Sequence, residues 1–143
     1  MQTKYFESPQ GVLAYSDYNG SGELVLLLPG MGALRSEYRY LAPKLSQAGY
    51  RAVTVDLRGH GESSVPWETY DVPSVGNDIL ALIEHLDARD AHVIGTSFAA
   101  APCRQSTWNH SSSWHPCTRS VPSGWNSSIR TGSAEAPSSV QGR

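Results

Sequence analysis

The feature that most constrains the fold is a run of five apolar residues, Leu24-Val25-Leu26-Leu27-Leu28, stopped by Pro29-Gly30. A continuous apolar run this short is too brief for a helix and reads as a strand buried on both faces of a parallel sheet. A strand of that kind needs helices on both sides of the sheet, and the surrounding sequence supplies alternating strand and helix patterns. Residues 12–18 alternate loosely as a strand, with Tyr5-Phe6 a weaker partner before the turn at Gln10-Gly11. Asn19-Gly20-Ser21-Gly22 marks a further turn. Over 36–48, Tyr40, Leu41 and Leu45 approach helical spacing and Gly49 is a stop signal; Pro43 predicts that the helix is kinked or starts late. Residues 51–56 form the next strand. Ser74 is placed to cap a helix carrying Val75, Ile79, Leu82, Ile83 and Leu86 on one stripe, and 91–95 is a last short strand. The class is α/β, with functional loops expected at the C-terminal ends of the strands.

Three segments fall at those ends. The first is Gly95-Thr96-Ser97-Phe98-Ala99, close to the G-x-S-x-G pattern in which a sharp strand-to-helix turn exposes a serine hydroxyl above the sheet. Phe98 and the three alanines after it can open a helix. Alone the pattern is weak, and a serine in an ordinary loop explains it as well. The second is Pro29-Gly30-Met31-Gly32, a tight turn that also exposes backbone N–H groups. The third is Asp56-Leu57-Arg58-Gly59-His60-Gly61-Glu62-Ser63, after the strand at 51–56.

In this order and spacing, the three segments resemble the α/β-hydrolase fold family over roughly residues 5–101. The resemblance implies a parallel-sheet α/β-hydrolase fold, incomplete here because strands and helices are legible only up to the elbow. It implies a serine hydrolase of the esterase type, with Ser97 as nucleophile and the N–H groups of Met31 and Phe98 as the oxyanion hole. Family members that dehalogenate alkyl halides or open epoxides carry aspartate at the elbow, so Ser97 points to acyl transfer through an acyl-enzyme. The expected partner is a small-molecule ester, thioester or lactone, with no cofactor and no metal. Two positions depart from the family pattern: Ala99 replaces the last glycine of the elbow, and Pro29 replaces the usual oxyanion-loop histidine. Asp56, Arg58 and His60 are expected to support loop structure rather than chemistry.

A net charge of −2 gives no reason to expect nucleic acid or a membrane surface as partner. No apolar leader or spanning run is present, so the expectation is a soluble, cytoplasmic protein of undetermined oligomeric state. Cys103 and Cys117 are too far apart for a C-x-x-C pair and are expected as free thiols.

Beyond Ala101 the sequence changes character. It contains no Leu, Met, Phe, Asp or Lys, and eleven serines, so it offers little apolar surface to offset the entropy of ordering. The expected organisation is therefore 1–101 as the N-terminal portion of the domain and 102–143 as a low-complexity, disordered tail. The family's acid and histidine follow the serine along the chain, yet the acid side chains after Ser97 reduce to Glu135 and the histidines to His110 and His115. His85 and His92, upstream, read as helix and strand residues. Reading one nucleotide earlier would turn the tryptophan codons of the tail into Leu, Met or Val codons. With TCN serines, 107–115 would then become an apolar strand, which points to a reading frame lost near 101–104. The resulting expectation is an enzyme by resemblance that is inactive as written, with an apolar edge left open on the strand at 91–95. Two other readings stay open: a non-catalytic remnant acting as a binding module, and a compact hydrolase using Glu135 and His115.

Overall fold

A computed structural model describes residues 2–8, 10–101 and 117–120, the last as backbone only. The histidines and acid of the tail, the thiol of Cys103 and the disorder expected over 102–143 thus lie outside the described residues, apart from the strand at 117–120. The elements are β1 (Lys4–Ser8), β2 (Gly11–Asp17), β3 (Leu24–Leu28), a 3₁₀ turn (Arg35–Tyr38), α1 (Leu41–Gln47), β4 (Arg51–Val55), α2 (Val72–His85), β5 (Asp90–Gly95), a second 3₁₀ turn (Ser97–Ala100) and β6 (Cys117–Ser120).

The strands form one mixed sheet in the order β1-β2-β4-β3-β5-β6. Its centre is parallel: β3 lies between β4 and β5, with Leu26 level with Val53 on one side and Val93 on the other. β1 and β2 form an antiparallel hairpin that pairs with β4. All five residues of β3 are buried, as the apolar run requires. Side chains alternate across a strand, so β3 serves two cores. Leu24, Leu26 and Leu28 pack with Val53, Val55 and the apolar stripe of α2, whereas Val25 and Leu27 pack with Ala52, Tyr38 and Ala42 on the α1 side.

One sequence expectation is met and two resolve differently in space. The helix over 36–48 starts late: a 3₁₀ turn precedes it, and α1 begins at Leu41. Pro43 is then the third helical residue, where a backbone N–H would have no partner within the helix anyway. The cap of α2 is not Ser74 but Asp71, whose carboxylate accepts from the Ser74 N–H at 2.8 Å. Pro73 sits in that first turn, where its fixed φ suits a helix start. The edge of β5 is also not left open. β6 runs antiparallel along it, from Asp90 opposite Ser120 to Val93 opposite Cys117. An apolar pattern is not required for that pairing, because the ladder is made by backbone groups.

A buried ion pair ties α2 to the loop after β4. Arg58 donates to Asp78 through Nε and Nη2, both at 2.8 Å, and to the carbonyls of Thr69 at 2.7 Å and Ser74 at 3.1 Å. Its guanidinium also lies over the Trp67 ring, 4.5 Å from the centroid. With every direction of the fork engaged, this arginine fixes the path of the chain between β4 and α2. Among the described residues no helix is long and apolar enough to cross a membrane.

Leu82 is fully buried on the α2 stripe against the sheet. Leu82→Ala is expected to lower unfolding free energy by about 2–5 kcal/mol, read from urea denaturation followed by circular dichroism.

Candidate active site

β5 ends at Gly95, Thr96 remains extended, and Ser97 turns the chain with φ +52° into the 3₁₀ turn. A serine in the left-handed region costs about 1–2 kcal/mol, so its surroundings must hold it there. Thr96 is fixed on one side: its N–H donates to the Leu28 carbonyl at 3.1 Å. The Tyr38 hydroxyl donates to the same carbonyl at 2.8 Å and lies 2.7 Å from Thr96 Oγ1. On the other side the chain folds back tightly. A Cβ at Gly95 would stand 2.4 Å from the Ala99 carbonyl oxygen, so glycine is required there. Ala99 is 0% exposed and joins the α2-side core. Space rather than φ limits that position, which accounts for alanine serving in place of the pattern's last glycine. Ser97 itself is exposed, whereas Phe98 packs in part against the core.

The Pro29–Gly32 turn lies beside this serine. A Cβ built on Gly30 would be 3.5 Å from Ser97 Cβ. The turn closes through the Ala33 N–H, which donates to the Gly30 carbonyl at 3.0 Å, and Gly32 takes φ +79°. Met31 at its tip is 67% exposed. The Gly32 N–H donates to His60 Nε2 at 3.0 Å, and His60 Nδ1 lies 3.0 Å from the Arg58 carbonyl. Among the described residues, nothing accepts a hydrogen bond from the N–H of Met31 or of Phe98.

A carboxylate network underpins both loops. Asp56, 1% exposed at the end of β4, accepts from the Arg35 N–H at 2.7 Å, from Arg35 Nη1, and from the Glu62 N–H at 3.2 Å. Gly61 has to be glycine beside it, since a Cβ there would meet the Asp56 carboxylate at 2.2 Å. Arg35 extends the network to Ser16 Oγ at 3.1 Å, to Thr3 Oγ1 at 2.8 Å and to the Glu62 carboxylate. Burial pulls the Arg35 pKa down, but the hydrogen bond to Glu62 and the charges of Asp56 and Glu62 outweigh it and hold the guanidinium more firmly protonated than usual. Glu62 is held below the ordinary carboxylate range, first by the Arg35 hydrogen bond and then by that from Thr3.

The structure therefore brings Ser97, the Pro29–Gly32 turn carrying Met31, and Phe98 to one end of the sheet. His85 and His92 are elsewhere. His85 closes α2 beside Phe6 and Tyr15, and His92 within β5 pairs with Glu23 at 2.9 Å. Among the described residues, no cluster of three or more His, Cys, Asp or Glu side chains could hold a metal ion. Sequence reading passed over two supports, Arg35 and Tyr38. Their partners are from ten to 58 residues away in the chain, so no local pattern marks them.

Comparison with known proteins gives this geometry a context. The family described as alpha/beta hydrolase fold matches residues 23–116, well over half of the chain. The AB hydrolase superfamily protein YisY of Bacillus subtilis is 31% identical over 97 residues, which cover 68% of this chain and 36% of the relative. Among solved structures, epoxide hydrolase A from Mycobacterium thermoresistibile aligns with a TM-score of 0.65 and 30% identity over 71% of this chain and 33% of its own. An esterase from Exiguobacterium antarcticum aligns with a TM-score of 0.60 and 30% identity, over 64% of this chain and 34% of its own. The chain thus spans about a third of the length of these proteins.

Two outcomes follow from the geometry. Gly95→Ala forces its new methyl against the Ala99 carbonyl and is expected to cost about 1–3 kcal/mol of stability, as overpacking does, measured by chemical denaturation. Glu62 has its pKa depressed in the folded state, so its contribution is present above the unfolded value of about 4.3 and disappears as pH falls through the lower folded value. Glu62→Gln is accordingly expected to lower the urea midpoint at neutral pH, with the gap closing in acid; an equal gap at both pH values would contradict the pairing.

Proposed function

Because the chain belongs to the alpha/beta hydrolase fold family, we propose that its site is built for acyl transfer from a small carboxylic ester or related acyl substrate, with Ser97 as the nucleophile. In this reading Ser97 Oγ attacks the acyl carbonyl, its proton passes to a base, and the carbonyl oxygen becomes an oxyanion. The N–H groups of Met31 and Phe98 receive that charge. Collapse expels the alcohol and leaves an acyl-serine, which water then cleaves to release the acid. The observation that carries the proposal is the left-handed turn at Ser97 beside Gly30, which exposes a hydroxyl next to two N–H groups without acceptors among the described residues. Relatives include proteins described as epoxide hydrolases as well as an esterase. A serine at this position favours the ester chemistry, since epoxide opening in the resembled family uses a carboxylate there.

The 143 residues contain no aspartate after Ser97, and a serine without an oriented base is a weak nucleophile. The chain by itself is therefore expected to lack turnover. The test pairs two proteins. In the first, the full 143-residue chain is given p-nitrophenyl butyrate; release above the level of its Ser97→Ala variant would show a working base within this chain and overturn that part of the proposal. In the second, residues 1–101 are joined to the remaining portion of the Exiguobacterium antarcticum esterase. That chimera is expected to hydrolyse the ester and to lose at least about a thousandfold in kcat on Ser97→Ala. Ester hydrolysis by the chimera that ignores Ser97→Ala would remove Ser97 from the chemistry.

A further inference from the structure

We infer that His60 is the positioning residue of the Pro29–Gly32 turn, acting as a neutral imidazole of fixed tautomer that accepts the Gly32 N–H; the inference rests on the reading of that turn as the oxyanion loop. His60 sits between two glycines that take left-handed conformations, Gly59 at φ +74° and Gly61 at φ +55°. Its backbone is pinned on both sides: its N–H donates to the Leu57 carbonyl, and its carbonyl accepts from the Ser63 N–H, each at 3.0 Å. The ring is aimed by its two nitrogens. Nδ1 lies 3.0 Å from the Arg58 carbonyl, an acceptor only, so Nδ1 carries the hydrogen and donates. In a neutral ring Nε2 then bears a lone pair, and that atom is the one 3.0 Å from the Gly32 nitrogen.

The tautomer is thus dictated from the side of the ring that faces Arg58. Arg58 cannot drift, because Asp78 holds its guanidinium through two bonds of 2.8 Å. A rigid series runs from α2 through Asp78, Arg58 and His60 to Gly32, twenty-eight residues before His60 in the chain. The consequence for chemistry is selective. The Gly32 N–H is consumed by the protein and so is withdrawn from a developing oxyanion, whereas the N–H of Met31 beside it has no acceptor among the described residues. His60 touches no reacting atom and acts by fixing where that donor stands.

The test is spectroscopic and does not depend on turnover, so it stands apart from the ester proposal. In the uniformly ¹⁵N-labelled full chain at neutral pH, the His60 ring is expected to show a protonated Nδ1 and an unprotonated Nε2. A through-bond coupling should connect Nε2 to the Gly32 amide nitrogen. His60→Phe keeps a planar ring without an acceptor and is expected to speed hydrogen exchange at the Gly32 amide at least tenfold, whereas His60→Gln, which restores an acceptor oxygen, is expected to recover part of the protection. A hydrogen on Nε2 in the wild-type chain would overturn the inference without any variant having to fold. Identical Gly32 exchange in wild type and His60→Phe would overturn it as well.

Discussion

One buried carboxylate organises the end of this sheet that carries Ser97 and the Pro29–Gly32 turn. Asp56 leaves the centre of the sheet at the end of β4 and receives a backbone N–H from each of two loops, at Arg35 and Glu62, together with the Arg35 guanidinium. Its own main chain is tied to β2 through the Ala14 carbonyl, and its carbonyl accepts from Ser63 Oγ at 2.7 Å. A buried charge is tolerated only when its oxygens are filled with good donors. Those donors come from loops far apart in sequence, so satisfying one side chain forces the loops into a single arrangement. Losing any of these three hydrogen bonds would leave a buried carboxylate oxygen short of a donor, and that penalty holds the loops in register.

The strained serine is the second product of the same layout. Ser97 keeps a left-handed backbone because the chain before it is hydrogen-bonded to β3 and the chain after it is packed into the core through Ala99. The turn that faces it is secured by a different route, through His60. Neither support belongs to the elbow itself. The local conformation is unfavourable, and it persists because the framework around it is over-determined.

The parts of this fold that were legible in the sequence are those governed by burial with a local period. β3 is a gapless apolar run because it is covered on both faces, and α2 shows a stripe because only one face meets the sheet. The three loops at the strand ends were legible because glycine and proline must occupy particular turns. The Asp71 cap was missed in favour of Ser74, two plausible caps three residues apart, of which the one preceding Pro73 is used. Arg35 and Tyr38 could not be found this way, since a long-range ion pair or hydroxyl contact imposes no spacing. β6 escaped for another reason: Cys-Thr-Arg-Ser carries no alternation, and the pairing depends on backbone groups that every sequence possesses.

The direction of β6 has a consequence for how the sheet can be extended. A parallel strand reaches its place by a right-handed crossover and presents a fresh, like-oriented flank to the next one. A strand running the other way occupies the same donors and acceptors of β5 between Asp90 and Val93 while reversing the polarity of the flank it offers. Any further parallel strand brought to this flank would have to compete with β6 for the β5 ladder, so extending the sheet in parallel begins with an exchange of strands rather than with a simple docking.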